Sequence, residues 1–168
     1  MNEAPYRFCH VCGGEFASRL LKQGEPERLV CARCGYVFYL DPKVAVAALV
    51  TDEHGQILLV RRAIEPGYGL WVIPGGYVDR GEEVRGAAVR ETREETGIDI
   101  RLDRLIDIYS YPGAVPVIIV FAATATGGCL ECDDEGLEAR FFEPSSIPWE
   151  ELAFRSTRDA LRQFLGRT

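Results

Sequence analysis

The chain has 168 residues, 47% of them hydrophobic, and its 19 basic and 26 acidic side chains leave a net charge of −7. That length suits one main domain with a small appendage, and the acidic balance argues against nucleic acid as a partner, because phosphate contacts need clustered Lys and Arg. With no run of about 18 apolar residues and no basic-then-apolar leader, membrane insertion and export are not expected, and a cytoplasmic location is.

The opening segment stands apart. Cys9-x2-Cys12 and Cys31-x2-Cys34 bracket the polar stretch ASRLLKQGEPER, which has little capacity to bury a core. This spacing is that of a four-cysteine structural Zn²⁺ site, in which two knuckles close a tetrahedron of thiolates. Gly13 and Gly35 follow the second cysteine of each pair, where the chain must turn back toward sulfur. Zinc at such a site contributes about 10–16 kcal/mol of folding free energy, which is what a core-poor module lacks. His10 lies between two ligands and reads as a bystander. A boundary near Asp41-Pro42 follows, giving a zinc ribbon over 1–41 and a second domain over 42–168.

In that second domain KVAVAALV and QILLVRR are aliphatic runs joined by Asp52-Glu53-His54-Gly55, which predicts a hairpin. LWVIPGGYVD reads as short strand segments around a sharp loop at Pro74-Gly75-Gly76. Good helix formers from Glu82 to Thr96, with Gly97 placed as a C-terminal cap, predict a helix. IDIRLDRLIDIY, VPVIIVFAATA and LEARFFE read as strands, and STRDALRQFL as a closing amphipathic helix. The order predicts an α/β fold, a mixed sheet covered by at least two helices. Cys129-Leu-Glu-Cys132 has no second pair to complete a metal site and reads as loop thiols.

The helix raises an electrostatic question. Glu91, Glu94 and Glu95 sit at i, i+3 and i+4 on one face, where like charges cost about 0.2–0.5 kcal/mol per pair, and the last two face an unfavourable helix dipole. Arg90 and Arg93 could neutralise an ordinary solvated face. Alternatively, carboxylates beside a glycine-rich loop form an oxygen-only ligand set, suited to Mg²⁺ or Mn²⁺ and not to zinc.

Gly76-x5-Glu82-x7-Arg90-Glu91-x2-Glu94-Glu95-x-Gly97-Ile98 resembles the Nudix box, with Thr92 where that family usually has an aliphatic residue. The resemblance implies a Nudix α/β/α sandwich that hydrolyses nucleoside diphosphates linked to another moiety. It also implies that Glu91, Glu94, Glu95 and the Gly75 carbonyl hold the divalent cations, that Arg90 orients a glutamate, and that Glu82 supports the site. The general base would be Glu91 or Glu95, or else Glu135 or Glu138 in the acidic stretch ECDDEGLE.

FCHVCGG, CARCGYVFYLDPKVAVAALV and IPWEELAF extend the resemblance to zinc-ribbon Nudix hydrolases that include FAD and ADP-ribose pyrophosphatases. The SQPWPFP motif of the NADH pyrophosphatase branch is absent, its place taken by DIYSYPGAVPV. The substrate expected is a small nucleotide, ADP-ribose or FAD, releasing AMP. NADH or NAD-capped RNA hydrolysis and a non-enzymatic nucleotide-sensing or nucleic-acid-binding module are the alternatives, and a homodimer is compatible with the sequence. Arg61 and Arg62 are candidate phosphate contacts, and Tyr109 and Tyr111 candidate stacking surfaces for adenine or flavin.

Overall fold

The computed structural model describes residues 6–166, and the chain separates into two compact units, the first ending at Asp41 and the second beginning at Pro42. In the first, β1 (Phe16–Arg19), β2 (Arg28–Cys31) and β3 (Val37–Phe38) form an antiparallel sheet in that order. Its buried hydrophobic residues are Cys9, Val30 and Cys31. Phe16 stacks on Phe38 at 5.6 Å, with the Tyr6 and His10 rings edge-on to Phe38. Burial on this scale cannot offset the entropy of ordering the segment.

The second unit contains β4 (Lys43–Thr51), β5 (Ile57–Arg62), β6 (Trp71–Val72), α1 (Val84–Thr96), β7 (Ile98–Tyr109), β8 (Pro116–Gly128), β9 (Gly136–Phe142), a 3₁₀ turn at Trp149–Glu151 and α2 (Arg155–Phe164). The sheet runs β6-β5-β4-β8-β7, with β9 also on β5. β4 and β8 are parallel from Lys43↔Pro116 to Thr51↔Thr124, and the remaining pairs are antiparallel. The mixed sheet expected from the order of elements is therefore present.

Both faces are covered, and alternation along the strands assigns them. Val46 and Phe121 pack with Ala87 and Ala88 of α1. Their neighbours Ala47, Leu49, Val120 and Ala122 turn the other way, to Trp71 and to Ala160 and Leu161 of α2. Ala87 and Ala88 let α1 approach the sheet closely, which fixes how far its glutamates stand from the strands. No described helix is long and apolar enough to cross a membrane.

The hairpin forms at its turn, but its strands part. The Asp52 carboxylate accepts N–H bonds from His54 and Gln56 at 2.9 and 2.8 Å, and β4 and β5 pair only at Thr51↔Ile57. Beyond that point the edge of β4 is occupied by the glycine loop. Ala48 N–H donates to the Pro74 carbonyl, Val46 N–H to that of Gly76, and Val78 N–H to that of Val44, at 2.9, 2.9 and 3.0 Å. A loop with Pro74 and two glycines can lie along a strand without side chains forcing it away; a Cβ on Gly75 would come within 2.2 Å of the Val46 carbonyl oxygen. That close approach seats the loop.

Candidate active site

The loop and α1 meet through two glutamates. Gly75 N–H donates to the Glu95 carboxylate at 2.9 Å. The Glu91 carboxylate lies against Gly76, where a Cβ would come within 2.4 Å of its oxygen. Since the carbonyls of Pro74 and Gly76 both accept from β4, the Gly75 carbonyl is the one in this run that receives no donor among the described residues. The loop that meets Glu91 and Glu95 thus offers a carbonyl oxygen as well, and carboxylate and carbonyl oxygens are the ligand type that suits a hard divalent cation. Glu94 stands farther out, with 56% of its side chain exposed.

Arg90 holds the rest together. Its guanidinium donates to both Glu82 oxygens at 2.7 and 2.9 Å, to Glu91 and Glu94 at 2.9 Å each, and to the Tyr77 carbonyl at 3.3 Å. The Glu82 carboxylate also receives Asp79 N–H at 3.0 Å. Arg90 chiefly, and that N–H second, lower the Glu82 carboxyl to about 2, and these same carboxylates raise the Arg90 guanidinium. Thus a single side chain bridges Glu91 and Glu94 on the helix face to Glu82 just before the helix.

Glu95 is outside that network. Burial lifts its carboxyl to about 8, with the Gly75 N–H opposing and the charges of Glu91, Asp133 and Glu135 adding to the rise. Glu91 is also raised, again by burial first, with Arg90 opposing. Glu135, a loop candidate for general base, therefore faces both helix glutamates electrostatically. Glu138 is placed differently, pairing with Arg140 at 3.8 Å and standing opposite Arg61 across β5 and β9. Asp133 was not singled out from the sequence. Its carboxylate caps the Glu135 N–H at 2.9 Å, and the only signal for it was its place in the same acidic stretch.

The candidate substrate contacts each have a partner within the protein. Arg61 Nε donates to the Gly69 carbonyl and Arg62 Nε to that of Pro66, both at 2.8 Å, so the two guanidiniums brace the loop between β5 and β6. Tyr109 is buried in the core with its hydroxyl donating to Gln163 at 2.8 Å. Tyr111 donates to Asp159 at 2.8 Å, beneath the Arg155 guanidinium. Both rings are tied to α2 by these bonds, Tyr109 from the end of β7 and Tyr111 from just past it. Trp71 is core, edge-on to Phe142 at 4.8 Å.

In the first unit, one sulfur from each of Cys9, Cys12, Cys31 and Cys34 lies within 4.8 Å of all the others, the only such convergence of three or more metal-binding groups among the described residues. The Cys12–Cys31 and Cys9–Cys34 sulfurs are 3.4 and 3.9 Å apart. A zinc–sulfur bond of about 2.3 Å in a tetrahedron requires edges of roughly 3.8 Å, so the cluster has the size of a zinc site. Gly13 and Gly35 N–H groups donate to the Cys9 and Cys31 carbonyls at 2.8 and 3.0 Å, closing the two knuckles at positive φ. The Cys34 N–H bond lowers the Cys31 thiol to about 6, whereas Cys34, against the Tyr36 N–H, is pushed up to about 12 by the neighbouring thiols, so without metal the cluster shares its protons unevenly. His10 points its ring at Tyr36, 4.9 Å away.

Comparison with known proteins gives two family matches, the NUDIX domain over residues 41–164 and the Nudix N-terminal zinc ribbon over residues 7–40. An ADP-ribose pyrophosphatase of Methanocaldococcus jannaschii is 36% identical over 153 residues, covering 88% of each chain. An NAD-capped RNA hydrolase, NudC, of Stutzerimonas stutzeri is 31% identical over 144 residues, covering 85% of this chain but 50% of that protein. Among solved structures, a NUDIX hydrolase from Nitrosomonas europaea superimposes with a TM-score of 0.88 and 32% identity over 96% of this chain and 94% of its own.

Proposed function

The chain belongs to the Nudix hydrolases, as a divalent-metal-dependent pyrophosphohydrolase of nucleoside-diphosphate compounds, and from that premise we propose that its substrate is ADP-ribose or FAD, with AMP as a product. The observation that carries this reading is the match to the ADP-ribose pyrophosphatase, which spans 88% of both chains. The capped-RNA hydrolase match leaves half of that relative without a counterpart here.

In this proposal Glu91, Glu95 and the Gly75 carbonyl hold Mg²⁺ or Mn²⁺, with Glu94 as a further ligand. When bound, the cation neutralises the pyrophosphate and makes a bound water more acidic. Arg90 keeps Glu82, Glu91 and Glu94 in fixed directions, so no carboxylate has to reorient when substrate arrives. Water attacks one phosphorus and the bridging P–O bond breaks, giving AMP and ribose 5-phosphate from ADP-ribose. A carboxylate takes the water's proton, and the electrostatic reach of Glu135 to Glu91 and Glu95 favours it over Glu138 for that role if the base comes from the loop. In the first unit, Cys9, Cys12, Cys31 and Cys34 hold a structural Zn²⁺. A cytoplasmic location is part of the proposal and fits reduced thiolates.

The test is a panel of ADP-ribose, FAD, NADH and NAD-capped RNA at equal concentrations, each with Mg²⁺ and with Mn²⁺. AMP should appear fastest from ADP-ribose or FAD. Faster turnover of NADH or capped RNA would move the assignment to the NudC-like reading, and hydrolysis of none of the four would reject both.

A further inference from the structure

Apart from the carboxylate centre, the second unit has a groove of about 540 Å³ between the start of β4 and the residues that follow the glycine loop. We propose that this groove binds a nucleoside 5′-monophosphate without using the carboxylate side chains, its lining residues Tyr77 and Asp79 meeting Arg90 and Glu82 only through their backbone. Its volume falls within the range of about 300–1,000 Å³ usual for small-molecule sites. Its floor is apolar, formed by Val44, Val78 and Val84, and none of Glu82, Glu91, Glu94 or Glu95 lines it.

Charge and aromaticity define the ligand. Lys43 and Arg80 line the groove, and among the described residues neither has an acidic side chain within ion-pair distance. Asp79 is the single acid in the lining, so the groove carries a net positive charge on a protein of net charge −7. Tyr77 is 52% exposed, so its ring is open to solvent. The Lys43 ammonium stands 4.6 Å from the Tyr77 ring centroid, so a cation and an aromatic surface are presented together.

An aryl group joined to a dianion satisfies both, its ring against tyrosine and valine and its phosphate at the ammonium and guanidinium. A nucleoside monophosphate has that form, and hydrolysis of a nucleoside-diphosphate compound releases one. Adenosine lacks the anion and inorganic phosphate lacks the ring, so each should use half of the site.

The experiment is ligand-observed NMR titration of the full zinc-retaining chain, without added divalent cations, using AMP, adenosine and inorganic phosphate. AMP should saturate most tightly. Tyr77→Ala should weaken AMP about tenfold, the scale of one stacked base, and leave phosphate unchanged. Lys43→Met should weaken AMP about tenfold and leave adenosine unchanged. Tyr77→Phe and Glu95→Gln should both leave AMP binding as it was. Arg80→Met, at an exposed position, provides a second loss-of-charge variant should Lys43→Met fold poorly. AMP binding that is absent, that survives Tyr77→Ala and loss of the cations, or that is lost in Glu95→Gln overturns the proposal.

Discussion

Replacing Glu95 by Gln should remove a pH dependence of stability from the protein without divalent cations. Burial raises the Glu95 carboxyl from its ordinary 4.5 to about 8 in the folded chain. Below pH 4.5 both folded and unfolded chains hold the proton, and the stabilising contribution is complete. As pH rises toward 8, the unfolded chain gives up the proton while the folded chain keeps it, so stability falls; above 8 the loss is complete. The window spans roughly 3.5 pH units, and at about 1.36 kcal/mol per unit the ceiling is about 5 kcal/mol. The side chain keeps some solvent contact, so about half of that is expected. Urea unfolding of both proteins from pH 5.5 to 8.5, in zinc-retaining buffer without Mg²⁺, measures it. Across this part of the window the ceiling is about 3 kcal/mol, so the wild type should lose about 1.5 kcal/mol relative to Glu95→Gln. Parallel curves would refute the reasoning, because they would mean that the carboxylate is ionised and satisfied in the folded state.

Arg90→Met should lower kcat about a hundredfold or more, the effect of misplacing several groups by about an ångström, with KM changed less; turnover within a fewfold of wild type would remove Arg90 from the mechanism. The same variant should lose an acid sensitivity. Glu82, held down to about 2, stabilises the folded chain above its ordinary 4.5, and that stability is lost as pH falls toward 2; acid unfolding of the two proteins compares them. Gly76→Ala places a Cβ within 2.4 Å of the Glu91 carboxylate, so it should cost about a hundredfold in activity while the unfolding midpoint moves little. Gly75→Ala meets the Val46 backbone and should instead lower the midpoint sharply. One zinc per chain should be found by elemental analysis, and its removal by a chelator should collapse the amide dispersion of residues 6–41 while the second unit keeps its own.

The elements of the second unit were legible in the sequence because periodicity and turn chemistry agreed. Gly97 does end α1, with φ 68° and its N–H on the Arg93 carbonyl at 2.8 Å. Thr92 is the departure from the family pattern. It is fully buried, and its hydroxyl donates to the Ala88 carbonyl at 2.8 Å, so the polar group is satisfied within its own helix. What was not legible was tertiary. That Arg61 and Arg62 each donate to the loop between β5 and β6 depends on where that loop lies. Whether alternate tyrosines face solvent or a helix depends on the layer above the strand, and α2 covers Tyr109. Likewise, the nearness of Asp133 and Glu135 to Glu95 joins positions about forty residues apart in the chain, which no local pattern reports.

The charge on α1 is compensated in two different currencies, and this governs how a cation would enter. Glu91 and Glu94, with Glu82 just before the helix, share one guanidinium, whose single positive charge offsets one of their three. Glu95 is neutralised by a proton, because burial makes its bare charge costly. Ligation at Glu91 and Glu95 can leave the bonds from Arg90 to Glu82 and Glu94 in place, but it must displace the Glu95 proton. Divalent affinity should therefore rise by up to tenfold per pH unit below about 8 and level off above it. Calorimetric titration with Mg²⁺ at pH 7 in buffers of different ionisation enthalpy should report release of close to one proton in the wild type and none in Glu95→Gln. Equal proton release in the two proteins would place the titrating group elsewhere.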